Sequence, residues 1–397
     1  MPDNILQFDI AGEGDLYARY RYWRDHHPVW FDEASERWVV SRFDDVETVA
    51  ADHERFSQTA MEAVFDGPLP MLTQDPPIHR QMRSILAPAF TPRAVEQLAG
   101  EVCELASELI DAWEADAETD FMQAVAIPLP VTVMARLLAI PESDIADFKR
   151  WSDAFSGTSA ELSREARREL IREGEAYLAA MVPERRARPG ADLFSRLCVA
   201  HIDGIPLSEE TIVGFLKVLL IGGNETTGNW LANAMNFLAE RPDIWSRLRS
   251  DRSLMADALE EVLRYDGPIQ LTVRRARTDV VLHGVTIREG DQVLGIYGAA
   301  NRDDRVYPRS DEFSIERARK RSLAFGAGNH FCIGAFLARL EARIAMNAIL
   351  DRFDEVVPGA RGGKRVRSIM LRGFHELWLH GRSAGPAATV TGGRRRA

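Results

Sequence analysis

The stretch Ser322–Ala342, SLAFGAGNHFCIGAFLARLEA, carries the densest chemistry in the chain. Phe325, Gly326, Gly328, His330, Cys332 and Gly334 form the pattern F-G-x-G-x-H-x-C-x-G. Glycines let backbone amides approach a sulfur closely, and such amides tune a metal-bound thiolate. A last helix follows Gly334, and its N-terminal positive end points back at the sulfur. A lone cysteine before a helix is usually a small buried hydrophobe. The glycines and His330 around this one argue instead for a ligand. A structural zinc site fits poorly, because neither a second close cysteine nor a histidine pair accompanies it.

Upstream, Ser208 is a helix cap, with Glu209 and Glu210 well placed in the first turn. The next strong stop signal is Pro242, so the spacing predicts one helix of roughly 30 residues. Its middle, VLLIGGNETTGNWL (Val218–Leu231), sets three glycines and several polar residues in an apolar run. Each mid-helix glycine costs about 1 kcal/mol relative to alanine, and a threonine hydroxyl competes for backbone carbonyls. Such violations of local rules mark functional sites. Gly222 and Gly223 then offer a side-chain-free patch, with Glu225 and Thr226 beside it as a proton relay. A tight helix crossing with the polar residues in solvent explains the same pattern equally well.

The rest of the chain reads as mainly helical with a minor β region. Trp38–Val40 is a strand, and Asp44 and Asp45 open a helix. From about Thr91 to Met235 the apolar spacing is helical, as in Ala94–Asp116. Strand signals return between Val273 and Leu294, with a turn at His283–Gly284. Asn301–Ser322 is charged and aperiodic, an irregular meander. Strands and helices do not alternate, which disfavours a doubly wound sheet.

With 397 residues, 46% of them apolar and 27% charged, the chain can enclose a large cofactor in its core. A net charge of -11 argues against broad nucleic-acid binding. The 49 basic residues include four lysines only, which reads as coding bias. The N-terminus lacks an apolar signal core, and no run is long enough to span a membrane. Cys103, Cys198 and Cys332 are too scattered for a disulfide framework. A cytoplasmic protein is expected, with one domain over residues 1–380 and a disordered basic tail over 381–397.

The cysteine loop resembles the haem-binding signature of the cytochrome P450 superfamily, in its soluble bacterial form. Other segments match in the expected order. Gly222, Gly223, Glu225 and Thr226 are similar to the oxygen-activation pattern A/G-G-x-D/E-T. Glu261 and Arg264 form E-x-x-R, and DPPIHRQMR (Asp75–Arg83) resembles the helix that meets the haem propionates. The resemblance runs from Asp75 to Gly373 and Phe374. It implies a triangular helical domain around a buried haem b, with Cys332 as axial ligand of the iron. The thiolate would push electron density onto the iron.

The same resemblance places Phe325 against the thiolate, Gly222, Gly223 and Gly334 along the cofactor, and His79, Arg83, Arg274 and His330 at the propionates. For the last arginine the neighbouring Arg275 leaves the register open. Glu225 and Thr226 would deliver protons. Glu261, Arg264 and Arg317 would form a structural cluster; Glu312 stands before Phe313, where many relatives carry arginine. Substrate walls are expected from Met61, Val64, Phe65, Leu271, Val273 and Met370, which suits a mainly apolar ligand, whereas Glu62 and Asp66 would suit a basic group.

The implied activity is oxygen insertion from O₂ by a monooxygenase, of the kind found in secondary metabolism. Electrons would come from NAD(P)H through a ferredoxin and its reductase, since no reductase segment follows the haem motif. Docking is expected on the cysteine face, helped by Arg80, on a monomer. A peroxide-driven peroxygenase and a non-catalytic haem sensor are the alternatives. The Glu225–Thr226 pair argues against both.

Overall fold

The computed structural model describes residues 15–65, 67–156, 162–318 and 322–383. Helices dominate, and seven of them build the candidate site: α1 (Phe43–Ala51), α2 (Ile78–Leu86), α3 (Ile145–Ser156), α4 (Glu209–Gly223), α5 (Glu225–Ala239), α6 (Met255–Asp266) and α7 (Ala335–Arg352). The largest apolar core lies among the helices and takes in Leu216, Leu220, Leu231, Met235, Leu263 and Met346. No helix among the described residues is long and apolar enough to cross a membrane.

The predicted 30-residue helix is two helices. Ser208 caps α4 by accepting from the Thr211 amide, as its sequence predicts. The helix stops at Gly223, and α5 restarts at Glu225. Two close approaches explain the glycines here. A Cβ on Gly223 would sit 2.4 Å from Met134 Cε, and one on Gly228 would sit 2.5 Å from the Ala126 carbonyl oxygen. The break is satisfied from α3. Ser152 Oγ donates to the Leu220 carbonyl at 3.1 Å, and Asn224 Nδ2 donates to Ser152 Oγ at 2.8 Å. A polar group leaving the backbone ladder thus meets a partner instead of being stranded. Thr227, Asn229 and Asn233 of α5 are buried rather than turned to solvent. Asn233 Nδ2 donates to the Asp266 and Arg372 carbonyls, and Asn229 Oδ1 accepts from Phe374 N.

The minor β region centres on five strands, β1 (Val29–Asp32), β2 (Arg37–Val40), β3 (Phe56–Ser57), β4 (Thr272–Ala276) and β5 (Gln292–Gly295), in the order β1-β2-β5-β4-β3. Successive side chains point to opposite faces, and here each face has its own core. Val40, Val293 and Ala276 pack with Val46 and Ala50 of α1. Val39, Leu294 and Val273 pack on the other side with Leu16, Tyr20 and Trp23. A second sheet joins the strands Glu355–Arg365 and Phe374–Arg382 to Glu118–Asp120. The strand Phe374–Arg382 runs through Gly381 and Arg382, beyond the expected domain end at residue 380. Residues 384–397 of the expected tail lie outside the described residues.

Behind the cysteine loop, α6 presents Glu261 and Arg264, 5% and 4% exposed. Arg264 grips both carboxylate oxygens of Glu261, at 2.7 and 2.8 Å. Its remaining donors reach the carbonyls of Asn301, Ser310 and Glu312 in the meander. Arg317 Nε completes the cluster 3.0 Å from Glu261 Oε1. A fully paired, hydrogen-bonded buried charge is tolerated where an unpaired one is not, and this pair staples the irregular segment to α6.

Candidate active site

The cysteine loop is held open by glycine conformations. Gly326 and Gly328 adopt φ of +72° and +65°, a region that other residues rarely enter. A Cβ on Gly328 would also lie 2.7 Å from the backbone of Ala51, so the loop leans directly on the end of α1. Cys332 N donates to the Phe325 carbonyl at 2.9 Å, which turns the thiol toward the start of α7. Cys332 keeps exposed surface although protein surrounds it. Its surface therefore opens onto an interior space. Burial pushes the thiol pKa up, while the Gly334 N–H, Arg83 and Arg339 favour the thiolate.

Beside the sulfur, four cation-capable groups converge. The His79 and His330 rings lie 4.1 Å apart between centroids. His79 Nδ1 and Nε2 and His330 Nε2 are buried without hydrogen-bond partners. Burial and the charge of Arg83 hold His79 down at about 4, and burial with His79 and Arg274 holds His330 down at about 3. Arg83 feels the thiol and takes part in no ion pair among the described residues.

Of the two adjacent arginines, Arg274 is the one that turns inward. It is 3% exposed and donates to the Val273 and Ala50 carbonyls at 2.9 and 3.3 Å, and to Thr272 Oγ1. Arg275 points outward to the Gly290 carbonyl. No carboxylate pairs with Arg274 among the described residues. The nearby Asp75 is committed to Arg277, Ser57 Oγ and the Gln58 amide.

Buried donors without acceptors are costly. A rim of two arginines and two histidines that lacks anionic partners therefore fits a cofactor bearing carboxylates. The bidentate reach of arginine suits that group. The residues present thus fit a haem, which the rim's donors and the thiol would hold.

On the broken helix, Gly222 is exposed and a Cβ there would meet nothing within 4 Å. Thr226 Oγ1 donates to the Gly222 carbonyl at 2.8 Å, so the hydroxyl bridges the turn that the glycines weaken. Glu225 accepts from Ser156 Oγ at 2.9 Å. Burial raises its carboxyl to about 8, against the pull of the Ser156 hydrogen bond. Phe325 meets Trp230 of α5 edge to face at 6.0 Å, which links the helix to the cysteine loop.

The expected substrate walls divide. Met61, Leu271 and Val273 are 7%, 4% and 4% exposed and pack in the core behind the sheet, so they offer a ligand little surface here. Val64, Phe65 and Met370 are only partly buried against that core. Glu62 is partly exposed, and Asp66 lies outside the described residues. Ser156, Asp75 and Arg339 were not legible as site residues. Ser156 stands 69 positions from its partner Glu225, and no spacing rule connects them.

The sequence and the fold both have close counterparts. The family model for Cytochrome P450 matches residues 121–368. The putative cytochrome P450 YjiB of Bacillus subtilis is 37% identical over 341 residues, 84% of this chain and 86% of that protein. The cytochrome P450 monooxygenase PikC of Streptomyces venezuelae is 38% identical over 387 residues, 93% of this chain and 92% of its own. The crystal structure of CYP109E1 from Bacillus megaterium in complex with testosterone superposes with a TM-score of 0.84 at 33% identity, covering 93% of this chain and 99% of that one. A mutant of P450 EryK in complex with erythromycin B gives 0.87 at 32% identity, covering 98% and 100%. The chain belongs to the cytochrome P450 family of haem-dependent oxidoreductases.

Proposed function

We propose that Cys332 is the axial ligand of a haem b, and that the protein is a monooxygenase for a small, mainly apolar organic substrate. One observation carries this reading: the Cys332 thiol, whose upward shift on burial is opposed by the Gly334 N–H and Arg83, lies beside a rim of cation-capable groups that lack an anionic partner. When bound, the haem supplies O₂ activation with two external electrons and the transfer of one oxygen atom to the substrate. His79, Arg83, Arg274 and His330 hold the propionates, and the carboxylates raise the histidines toward their charged, donating forms. Glu225 and Thr226 hold and pass protons at the Glu225 carboxyl and the Thr226 hydroxyl. Gly222 leaves room along the helix, Gly223 admits Met134 beside it, and Glu261, Arg264 and Arg317 keep the meander in place.

The substrate reading rests on the partly exposed Phe65 and Met370. Steroid- and macrolide-sized ligands occupy two of the structural neighbours, and this chain takes molecules of that class. The electrons come from NAD(P)H through a ferredoxin and its reductase to a cytoplasmic monomer. The carbon monoxide difference spectrum of the reduced protein tests the central claim. A Soret band at the long wavelength of thiolate-ligated ferrous haem is expected, lost in Cys332→Ser. The same band in that variant, or no haem bound at all, would overturn it.

A further inference from the structure

A cleft of about 640 Å³ is lined in part by Phe325 and Phe331 of the cysteine loop, and by Glu260 and Arg339. Arg339 lies on α7, seven residues or about two turns beyond Cys332. Its guanidinium carbon sits 4.4 Å from the centroid of the Phe325 ring. Glu260 of α6 accepts from Arg339 Nε at 2.5 Å and from Nη2 at 3.1 Å, a two-point grip that holds the guanidinium plane. Phe325 is itself fixed. Its carbonyl accepts from Cys332 N, and its ring meets Trp230 and Phe331. A carboxylate, a cation, an aromatic ring and the cysteine backbone are therefore joined in one series of contacts. Both charged side chains are about one-third exposed.

We propose that Arg339 is a positioning residue that sets the reduction potential of the haem held by Cys332, and that Glu260 attenuates it. The proposal rests on the haem-thiolate reading above. One-electron reduction makes the iron site more negative by one charge. A cation beside the ligand loop favours the reduced form, and an anion opposes it. The aromatic ring keeps water from between the cation and the loop, so the cation is screened less than at an open surface. Glu260 cancels part of this effect while fixing the geometry. The two residues of one ion pair therefore act on the potential with opposite sign. A pair that only braced α6 against α7 would be broken equally by either substitution, with no such opposition.

The test is a spectroelectrochemical titration of haem-loaded wild type, Arg339→Gln, Glu260→Gln and Arg339→Lys. Arg339→Gln is expected to lower the ferrous-to-ferric ratio at a fixed poise about tenfold, a shift of about 59 mV to more negative potential. Glu260→Gln is expected to raise that ratio. Arg339→Lys, which keeps the charge, should stay within threefold of wild type. Shifts of the same sign in the two glutamine variants, or no shift in either, would overturn the proposal, as would a lysine variant that falls as far as Arg339→Gln. Should Arg339→Gln fail to fold, Glu260→Gln and Arg339→Lys still decide the sign and the role of charge. A normal carbon monoxide spectrum with unmoved potentials defeats this inference alone, whereas a missing thiolate band defeats the haem-thiolate reading and this inference with it.

Discussion

At the residue scale, Glu225 is the most perturbed group on the broken helix, and burial is the cause. A carboxyl that keeps its proton to about 8 is a proton donor across the neutral range. Turnover is expected to fall as pH rises through about 8, and this limb should be absent from the pH profile of Glu225→Gln. The Ser156 hydrogen bond favours the carboxylate, so Ser156→Ala should move the limb to higher pH; a move to lower pH would contradict that role. Thr226→Ala should separate NADPH consumption from product formation, read as a lower ratio of product to cofactor oxidised. Glu225 and Thr226 stand out in the sequence because they are adjacent where helix rules are broken, and the family resemblance is what gives them a role. Ser156 does not stand out, because its contact with Glu225 exists only once α3 has packed on α5.

At the scale of elements, the E-x-x-R pair of α6 is modest as a motif and substantial in place. Spacing put Glu261 and Arg264 on one helix face, but only the folded meander supplies the three carbonyls that complete Arg264. Arg264→Ala would leave Glu261 buried with half its partners and free those carbonyls. Chemical denaturation should register a loss of roughly 3 to 5 kcal/mol, the cost of breaking a buried pair from one side. A loss below about 1 kcal/mol would show that the meander is held by other contacts. The helix between Ser208 and Pro242 shows the converse limit. Its cap and its extent were readable, but its break at Asn224 depends on Ser152 and Met134, far away in sequence. Which of Arg274 and Arg275 turns inward likewise depends on the pairing of β4 with β5, which the sequence alone does not fix.

Across the whole molecule, groups with opposite shifts shape the response to pH. His79 and His330 titrate at about 4 and 3 in the folded chain, below the ordinary 6.5. Between those values the unfolded chain binds protons that the folded chain refuses, so this contribution to stability is lost as pH falls from about 6.5 toward 4. The denaturation midpoint of the haem-free chain should drop over that range, and replacing His79 with Asn should flatten the slope. Glu341 works in the other direction. It is buried on α7 with Oε2 unpartnered, and burial raises its carboxyl to about 8. Its unfolded form ionises near 4.5, so ionisation weakens the fold as pH rises from there to about 8. Glu341→Gln should therefore gain on wild type between pH 5 and 8.5, by roughly 1 to 3 kcal/mol. A gain that is the same at every pH would rule out ionisation as its cause.

The overall architecture was readable from periodicity together with the cysteine loop. The packing that turns those parts into a site was not, because it depends on contacts between residues distant in the chain. The buried rim of His79, Arg83, Arg274 and His330 has one more consequence. The His79 and His330 nitrogens find no partner in the polypeptide, so under the proposed reading a bound haem would supply one, and folding and loading would be thermodynamically linked. Any molecule that binds the folded chain alone stabilises it by mass action, and well above half-saturation each tenfold rise in free haem would add about 1.4 kcal/mol. The folded population of this protein thus follows the haem supply of its surroundings, and scarcity of the cofactor would be felt first as loss of the polypeptide.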